Sequence, residues 1–180
     1  MEELSLHILD IVENSIAAGA GCIQIIVEED ISRDRLEITI VDDGRGMNDE
    51  ESRKALDPFF TTKTVRRVGL GLPMFREAAR QAGGDMTIES EGGRGTIIRA
   101  TFQHSHLDRQ PLGDLEATLV TLVVGNPEVR IKFCHRRKGG EAAVDTAEFA
   151  SPDVDWRSLP AAERAGLLRK RLRFLYSQLD

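Results

Sequence analysis

The first hundred residues change their apolar period in a fixed order, and that order constrains the fold most. Leu4, Ile8, Ile11, Val12, Ser15 and Ile16 recur at helical spacing, so residues 4–18 are expected to form a helix that Gly19 and Gly21 stop. Residues 22–29 and 35–42 read as strands, with Asp30–Asp34 as a hairpin turn. The glycine-punctuated segment Asp42–Met47 follows, then a polar, short-helical stretch from Asn48 to Leu56. A second helix is expected over 70–82, entered through Val68-Gly69-Leu70-Gly71 and left through Gly83-Gly84. Strands at 85–90 and 95–102, joined by Glu91-Gly92-Gly93-Arg94, complete the pattern. Helix, hairpin, helix, hairpin makes an antiparallel or mixed sheet with helices on one face. The expected fold class is therefore α/β, a two-layer sandwich rather than a doubly wound sheet.

Composition narrows the function classes. Of 180 residues, 41% are hydrophobic but only 5% aromatic, so Val, Ile, Leu and Ala must fill the core. A net charge of −6 repels phosphate backbones, which disfavours a nucleic-acid partner. Cys22 and Cys134 form no CxxC pair, so neither a structural zinc site nor a disulfide scaffold is expected. The start lacks a basic region followed by a long apolar run, and no stretch of about 18 apolar residues occurs. A cytoplasmic protein without membrane contact is the expectation.

The charge is unevenly divided. Residues 1–102 hold 12 Lys+Arg against 19 Asp+Glu, net −7, and residues 103–180 hold 12 against 11, net +1. The glycine patterning stops at the same place, which sets an expected boundary between a first domain, 1–102, and an α+β extension, 103–180. Within the extension, residues 115–124 fit a helix or a strand. Residues 129–136 and 141–147 read as a hairpin around Lys138-Gly139-Gly140. Residues 160–178 form an amphipathic helix striped by Leu168, Leu172, Leu175 and Leu179. That stripe can pack on the hairpin or on a second copy, making a homodimer. Its basic residues, from Arg164 to Arg173, can dock an acidic partner or simply form a solvated face.

Four segments carry candidate chemistry. Asp10 and Asn14 lie one helical turn apart, where a carboxylate and a neutral amide oxygen can share a water and a metal ion. Asp42-Asp43-Gly44-Arg45-Gly46 follows a strand, so the backbone can approach a flat ligand while a carboxylate meets its exocyclic amine. Gly69-Leu70-Gly71-Leu72 opens a helix, where free N–H groups favour phosphate. No GKS or GKT follows, so this is not a P-loop. Gly92-Gly93-Arg94-Gly95-Thr96 places Thr96 at a strand start, within reach of a bound water. Between the second and third lies Asp57-Pro58-Phe59-Phe60-Thr61-Thr62-Lys63, whose hydroxyls and charge suit a phosphate tail. Taken singly, each has an ordinary reading as a helix face, a turn or a solvated loop.

The ordered set resembles the GHKL superfamily ATP-binding domain (the Bergerat fold) shared by gyrase, the ninety-kilodalton chaperone, histidine kinases and mismatch-repair ATPases. ENSIAAGA resembles the mismatch-repair and gyrase N box, whereas DPFFTTK, GLGLPM and GGRGT resemble histidine-kinase forms. The resemblance covers about 100 residues, from 4 to 102. It implies ATP and Mg²⁺ as ligands, with Asn14 on the metal. Asp10 stands where gyrase-like members carry a catalytic glutamate, one methylene longer. Asp42 is matched to the residue that pairs with the adenine amine, and Gly44, Gly46 and Met47 lie along the base. Gly69, Leu70, Gly71 and Leu72 meet the phosphates, joined by Thr61, Thr62 and Lys63 in a lid spanning about 48–68. Thr96 stands beside the adenine-linked water.

No dimerisation helix with a phosphoacceptor histidine precedes this segment, so a stand-alone bacterial member without histidine autophosphorylation is expected. The implied function is a slow ATPase or an ATP-gated switch acting on a partner protein. A serine/threonine kinase of the anti-sigma-factor type, or a non-catalytic nucleotide-binding module, are the alternatives.

Overall fold

A computed structural model describes residues 3–56, 71–150 and 155–179. In chain order the elements are α1 (Leu4–Ala17), β1 (Cys22–Asp30), β2 (Arg35–Asp42), α2 (Asp49–Lys54) and α3 (Gly71–Gln81). Then come β3 (Met86–Glu91), β4 (Gly95–Gln103), α4 (Leu115–Gly125), β5 (Arg130–Arg137), β6 (Gly140–Asp145) and α5 (Ala161–Tyr176). The strands form one mixed sheet in the order β3-β4-β2-β1-β5-β6, antiparallel throughout except for the β1–β5 pair. The two-layer α/β sandwich expected of the chain is what is found.

Register explains where the core sits. Paired residues face the same side, and one row runs Ile88, Ile98, Ile40, Ile25, Phe133 and Val144 across all six strands. The neighbouring row is Met86, Ala100, Ile38, Val27, His135 and Ala142. These rows bury against Leu4, Ile8, Ile11 and Val12 of α1, Phe75 and Ala79 of α3, and Leu119 and Leu122 of α4. The opposite face carries ion pairs, among them Arg99–Glu37 at 3.3 Å and Arg136–Glu28 at 2.9 Å.

Beyond these two rows, polar groups join apolar ones at both ends of the helix-covered face. One end holds Ser90, Thr96 and Asp42 in register. The other holds Glu29, whose carboxylate accepts from His135 Nε2 at 2.8 Å and from His104 Nε2 at 3.0 Å. His135 Nδ1 lies 2.9 Å from the Tyr176 hydroxyl of α5. The His135 hydrogen bond, assisted by His104, pulls the Glu29 pKa down to about 2 against the opposing effect of burial, while burial pushes the Tyr176 phenol up to about 12.

The extension shares the sheet of the first segment. β5 pairs along β1 from Cys22↔Arg130 to Glu28↔Arg136, so residues after 103 continue the sheet of the first hundred. The undecided segment 115–124 is helical. It is apolar on most sides because α4 contacts both α1 and α5. In α5, Leu168 and Leu172 are buried, Leu175 is half-buried, and Leu179 follows the helix half-buried.

Candidate functional site

α1 positions the first set of side chains. Its Ile8, Ile11, Val12 and Ser15 face the sheet, and the adjacent stripe carries His7, Asp10 and Asn14. α3 crosses that stripe in the opposite sense. Phe75 lies against His7, ring centroids 5.2 Å apart, and Gly71 lies against Asp10. A Cβ on Gly71 would stand 1.7 Å from Asp10 Oδ2 and 3.7 Å from Asn14 Nδ2. With glycine here, the start of α3 settles over both side chains without displacing the Asp10 carboxylate.

The second set gathers at the end of β2. Asp42 is 8% exposed, and both its oxygens are engaged. Ser15 Oγ donates to Oδ2 at 2.7 Å, and the Gly44 amide donates to Oδ1 at 2.9 Å. Asp43 points elsewhere: its Oδ1 accepts from the Gly21 and Cys22 amides at 2.8 and 2.9 Å, tying the α1–β1 turn to this loop. Asp42 is thus the carboxylate that faces α1, and Asp43 is the one that holds the loop.

The third set comes from the β3–β4 hairpin. Thr96 is directly opposite Asp42 across the β2–β4 ladder and opposite Ser90 across β3–β4. Ser90 Oγ lies 2.8 Å from Thr96 Oγ1 and accepts from the Met47 amide at 2.8 Å. Two glycines permit this closeness. Gly46 has φ +62°, and a Cβ there would meet the Glu91 carbonyl at 2.0 Å. Gly95 has φ +88°, and a Cβ there would meet the Asp42 carbonyl at 1.9 Å.

The structure therefore brings Asp10, Asn14, Gly71 and Leu72 together along α1 and α3, and Asp42, Gly44, Gly46, Met47 and Thr96 together at the sheet end. Thr61, Thr62, Lys63, Gly69 and Leu70 lie outside the described residues, as does most of the expected lid. α2, inside the lid span, is closed by an Asn48–Glu51 capping box. Two participants escape a reading of the sequence segment by segment: Ser15 and Ser90. Ser15 could be found from its place beside Asn14 on the sheet-facing side of α1. Ser90 emerges only when the hairpin is paired and falls opposite Thr96.

A buried, doubly held carboxylate, a glycine-lined loop and the start of a helix beside an Asp/Asn pair suit a nucleotide. The profile of the family described as histidine kinase-, DNA gyrase B-, and HSP90-like ATPase matches residues 2–106, and the chain belongs to that family. Membership supports ATP binding. Sporulation kinase E of Bacillus subtilis (strain 168) is 30% identical over 102 residues, covering 56% of this chain and 14% of that protein. The DNA mismatch repair protein MutL of Listeria monocytogenes serotype 4a (strain HCC23) is 30% identical over 144 residues, covering 79% of this chain and 21% of that protein. The chain thus spans about a fifth or less of the length of these two relatives. A crystal structure of the N-terminal domain of a DNA repair protein superimposes with a TM-score of 0.56 over 87% of this chain and 55% of that one, at 14% identity. That likeness concerns the fold alone. Among the described residues no helix is long and apolar enough to cross a membrane.

Proposed function

We propose that the chain binds Mg-ATP at this site and acts as a slow ATPase or ATP-gated switch on a partner protein. The observation that carries the reading is Asp42, whose carboxylate is held by Ser15 and Gly44 at the end of a polar row while Asp10 and Asn14 lie along the same α1 helix. A buried carboxylate so oriented accepts a hydrogen bond from the exocyclic amine of adenine, with Thr96 and Ser90 beside it to hold a water. Gly44, Gly46 and Met47 line the base. Gly69, Leu70, Gly71 and Leu72, at and before the start of α3, supply backbone donors for the phosphates, and Thr61, Thr62 and Lys63 supply side-chain donors.

The residues present fit a magnesium ion that the nucleotide itself brings. No group of three or more acidic, His or Cys side chains among the described residues could hold a metal alone. Asn14 would hold the ion through its amide oxygen, and the phosphates would provide the charge. The ion's contribution is to neutralise charge on the transferring phosphate. Asp10 orients the attacking water and takes its proton as the new phosphorus–oxygen bond forms. The bond to the leaving phosphate breaks, and ADP departs with its electron pair.

The span of the matches favours a switch over a kinase. A match covering 79% of 180 residues takes in about 142 of them and must reach residue 142 or beyond, so it includes β5. The kinase match covers 102 residues, close to the length of the family segment over 2–106. This reading gives nucleotide binding to residues 1–102 and engagement of a partner to residues 103–180, in the cytoplasm. The net charge of −6 points to a protein partner rather than nucleic acid. Incubation with γ-labelled ATP and a cell extract tests it. Phosphate release without label on protein is the expected result, and label on a partner's Ser or Thr would establish the kinase instead.

A further inference from the structure

His7 is 1% exposed, and its Nδ1 has no hydrogen-bond partner. A buried unpartnered ring nitrogen costs stability that a leucine of similar size would not. The other nitrogen shows what the histidine does. Nε2 lies 3.1 Å from Gln110 Oε1, in the segment linking β4 to α4. That segment is fastened to the start of α1 at several further points. The Leu4 and Ser5 amides donate to the Pro111 and Leu112 carbonyls at 2.9 and 2.8 Å. These are helix N-terminal N–H groups that Glu3, at the N-cap, does not satisfy through its side chain. Gly113, at φ +76°, approaches Glu3 and Ser5 so closely that a Cβ would meet Glu3 Oε2 at 2.2 Å. Thr118 Oγ1 of α4 reaches the Ser5 carbonyl at 3.4 Å.

On its inner side His7 lies on Phe75 of α3, which in turn lies on Phe102 with ring centroids 5.8 Å apart. One turn along each helix from that ring pair, Gly71 closes on Asp10. The His7–Phe75 contact is thus the next contact along the α1–α3 interface from the one between Asp10, Asn14 and the start of α3. Gln110 holds His7 from the other side.

We propose that Gln110 and His7 are a positioning pair through which the segment after β4 sets the α1–α3 spacing, and hence the grip on the phosphate end of a bound nucleotide. The proposal rests on the Mg-ATP reading of the site. Asp42 lies at the sheet end and is held by Ser15 and Gly44, so the base end is positioned by other residues than the pair. A partner that draws on residues 109–118 would change phosphate affinity without touching the nucleotide.

The test compares Mg-ATP with adenosine, which has the base and no phosphate, on the full chain by calorimetry or ligand-observed NMR. Gln110→Ala should weaken Mg-ATP by about five- to tenfold, within the usual range of coupling between sites. Adenosine affinity should stay within about twofold on the same grounds. Gln110→Glu keeps an oxygen acceptor for His7 and should restore most of the Mg-ATP affinity. His7→Leu removes the unpartnered nitrogen and should hold or raise Tm while weakening Mg-ATP, a split that a merely structural role would not produce. Variants that bind Mg-ATP like wild type, or that lose both ligands in step with Tm, overturn the pair. A wild type that binds adenosine and Mg-ATP leaves the site reading intact in either case. A wild type that binds neither overturns that reading and the pair with it.

Discussion

Ser15 Oγ donates a 2.7 Å hydrogen bond to Asp42 Oδ2, joining the helix that carries Asp10 and Asn14 to the strand end that carries the buried carboxylate. The bond leaves Asp42 one fixed orientation, because the Gly44 amide already occupies Oδ1. Asp42→Asn would set an amide N–H₂ against one of two donors. Loss of ATP binding with the fold retained is expected, since an unpaired buried donor costs about 1–3 kcal/mol. Ser15→Ala should weaken ATP more mildly, by a factor of about 10 for a bond of about 1.5 kcal/mol to a charged group. Titration calorimetry with circular dichroism as the folding check measures both. Undiminished affinity in Asp42→Asn would remove the adenine pocket from this place.

Asn14 offers a neutral oxygen and no charge. Nucleotide affinity is expected to depend on Mg²⁺, and Asn14→Ala should flatten that dependence. The measurement is ATP affinity with and without chelator in both proteins. Equal affinity in all four conditions would make Asn14 an ordinary helix-face residue.

Asp10 and Gly71 are predicted to act together. Asp10→Asn should keep ATP affinity and slow phosphate release by about 10²–10⁴. Gly71→Ala places a methyl where the Asp10 carboxylate stands, and a carboxylate can swing aside. Turnover should fall as in Asp10→Asn while Tm barely moves. Gly95→Ala differs, because its Cβ meets the backbone carbonyl of Asp42 at a left-handed φ. A loss of about 1–3 kcal/mol in stability is expected there, read by urea unfolding.

Two groups predict acid sensitivity in separate windows. His7 has its pKa lowered from 6.5, chiefly by burial. The unfolded chain therefore binds its proton first, and stability is lost as pH falls below about 6.5. Glu29 has its pKa lowered from 4.5 to about 2, chiefly by the His135 hydrogen bond. Its contribution, on the order of 2 kcal/mol, is present above pH 4.5 and is lost as pH falls toward 2. Thermal melts from pH 8 to pH 2 should show both declines. Glu29→Gln should remove the lower one and His7→Leu the upper.

Elements formed by neighbouring stretches of chain were legible from residue pattern. Leu4, Ile8, Ile11 and Val12 mark the buried side of α1, and the alternation in β1 and β2 matches the burial of Ile23, Ile25 and Val27 and of Leu36, Ile38 and Ile40. Asp42 could be told from Asp43 only through its glycine context, since both are acidic and adjacent. The β1–β5 pairing was not legible: Cys22 and Arg130 meet across more than a hundred residues, and strand pattern does not say which strand a neighbour will be. α4 was ambiguous because helices press on it from two sides, which erases the one-sided apolar stripe that reveals a helix. Ser15 and Ser90 were missed because a serine carries no signal until its partner is placed opposite it.

The parallel ladder between β1 and β5 also bears on how the chain can be cut and how it is made. Ending it at residue 106, where the family match stops, would strip β1 of its outer neighbour and bare a row of unpaired amides and carbonyls beside Ile23, Ile25 and Val27. An uncovered strand of that composition invites pairing with other chains. A fragment carrying every segment of the proposed ATP site is therefore expected to be prone to aggregation. On the ribosome the same strand must wait until Arg130–Arg137 has emerged before the sheet can close over it.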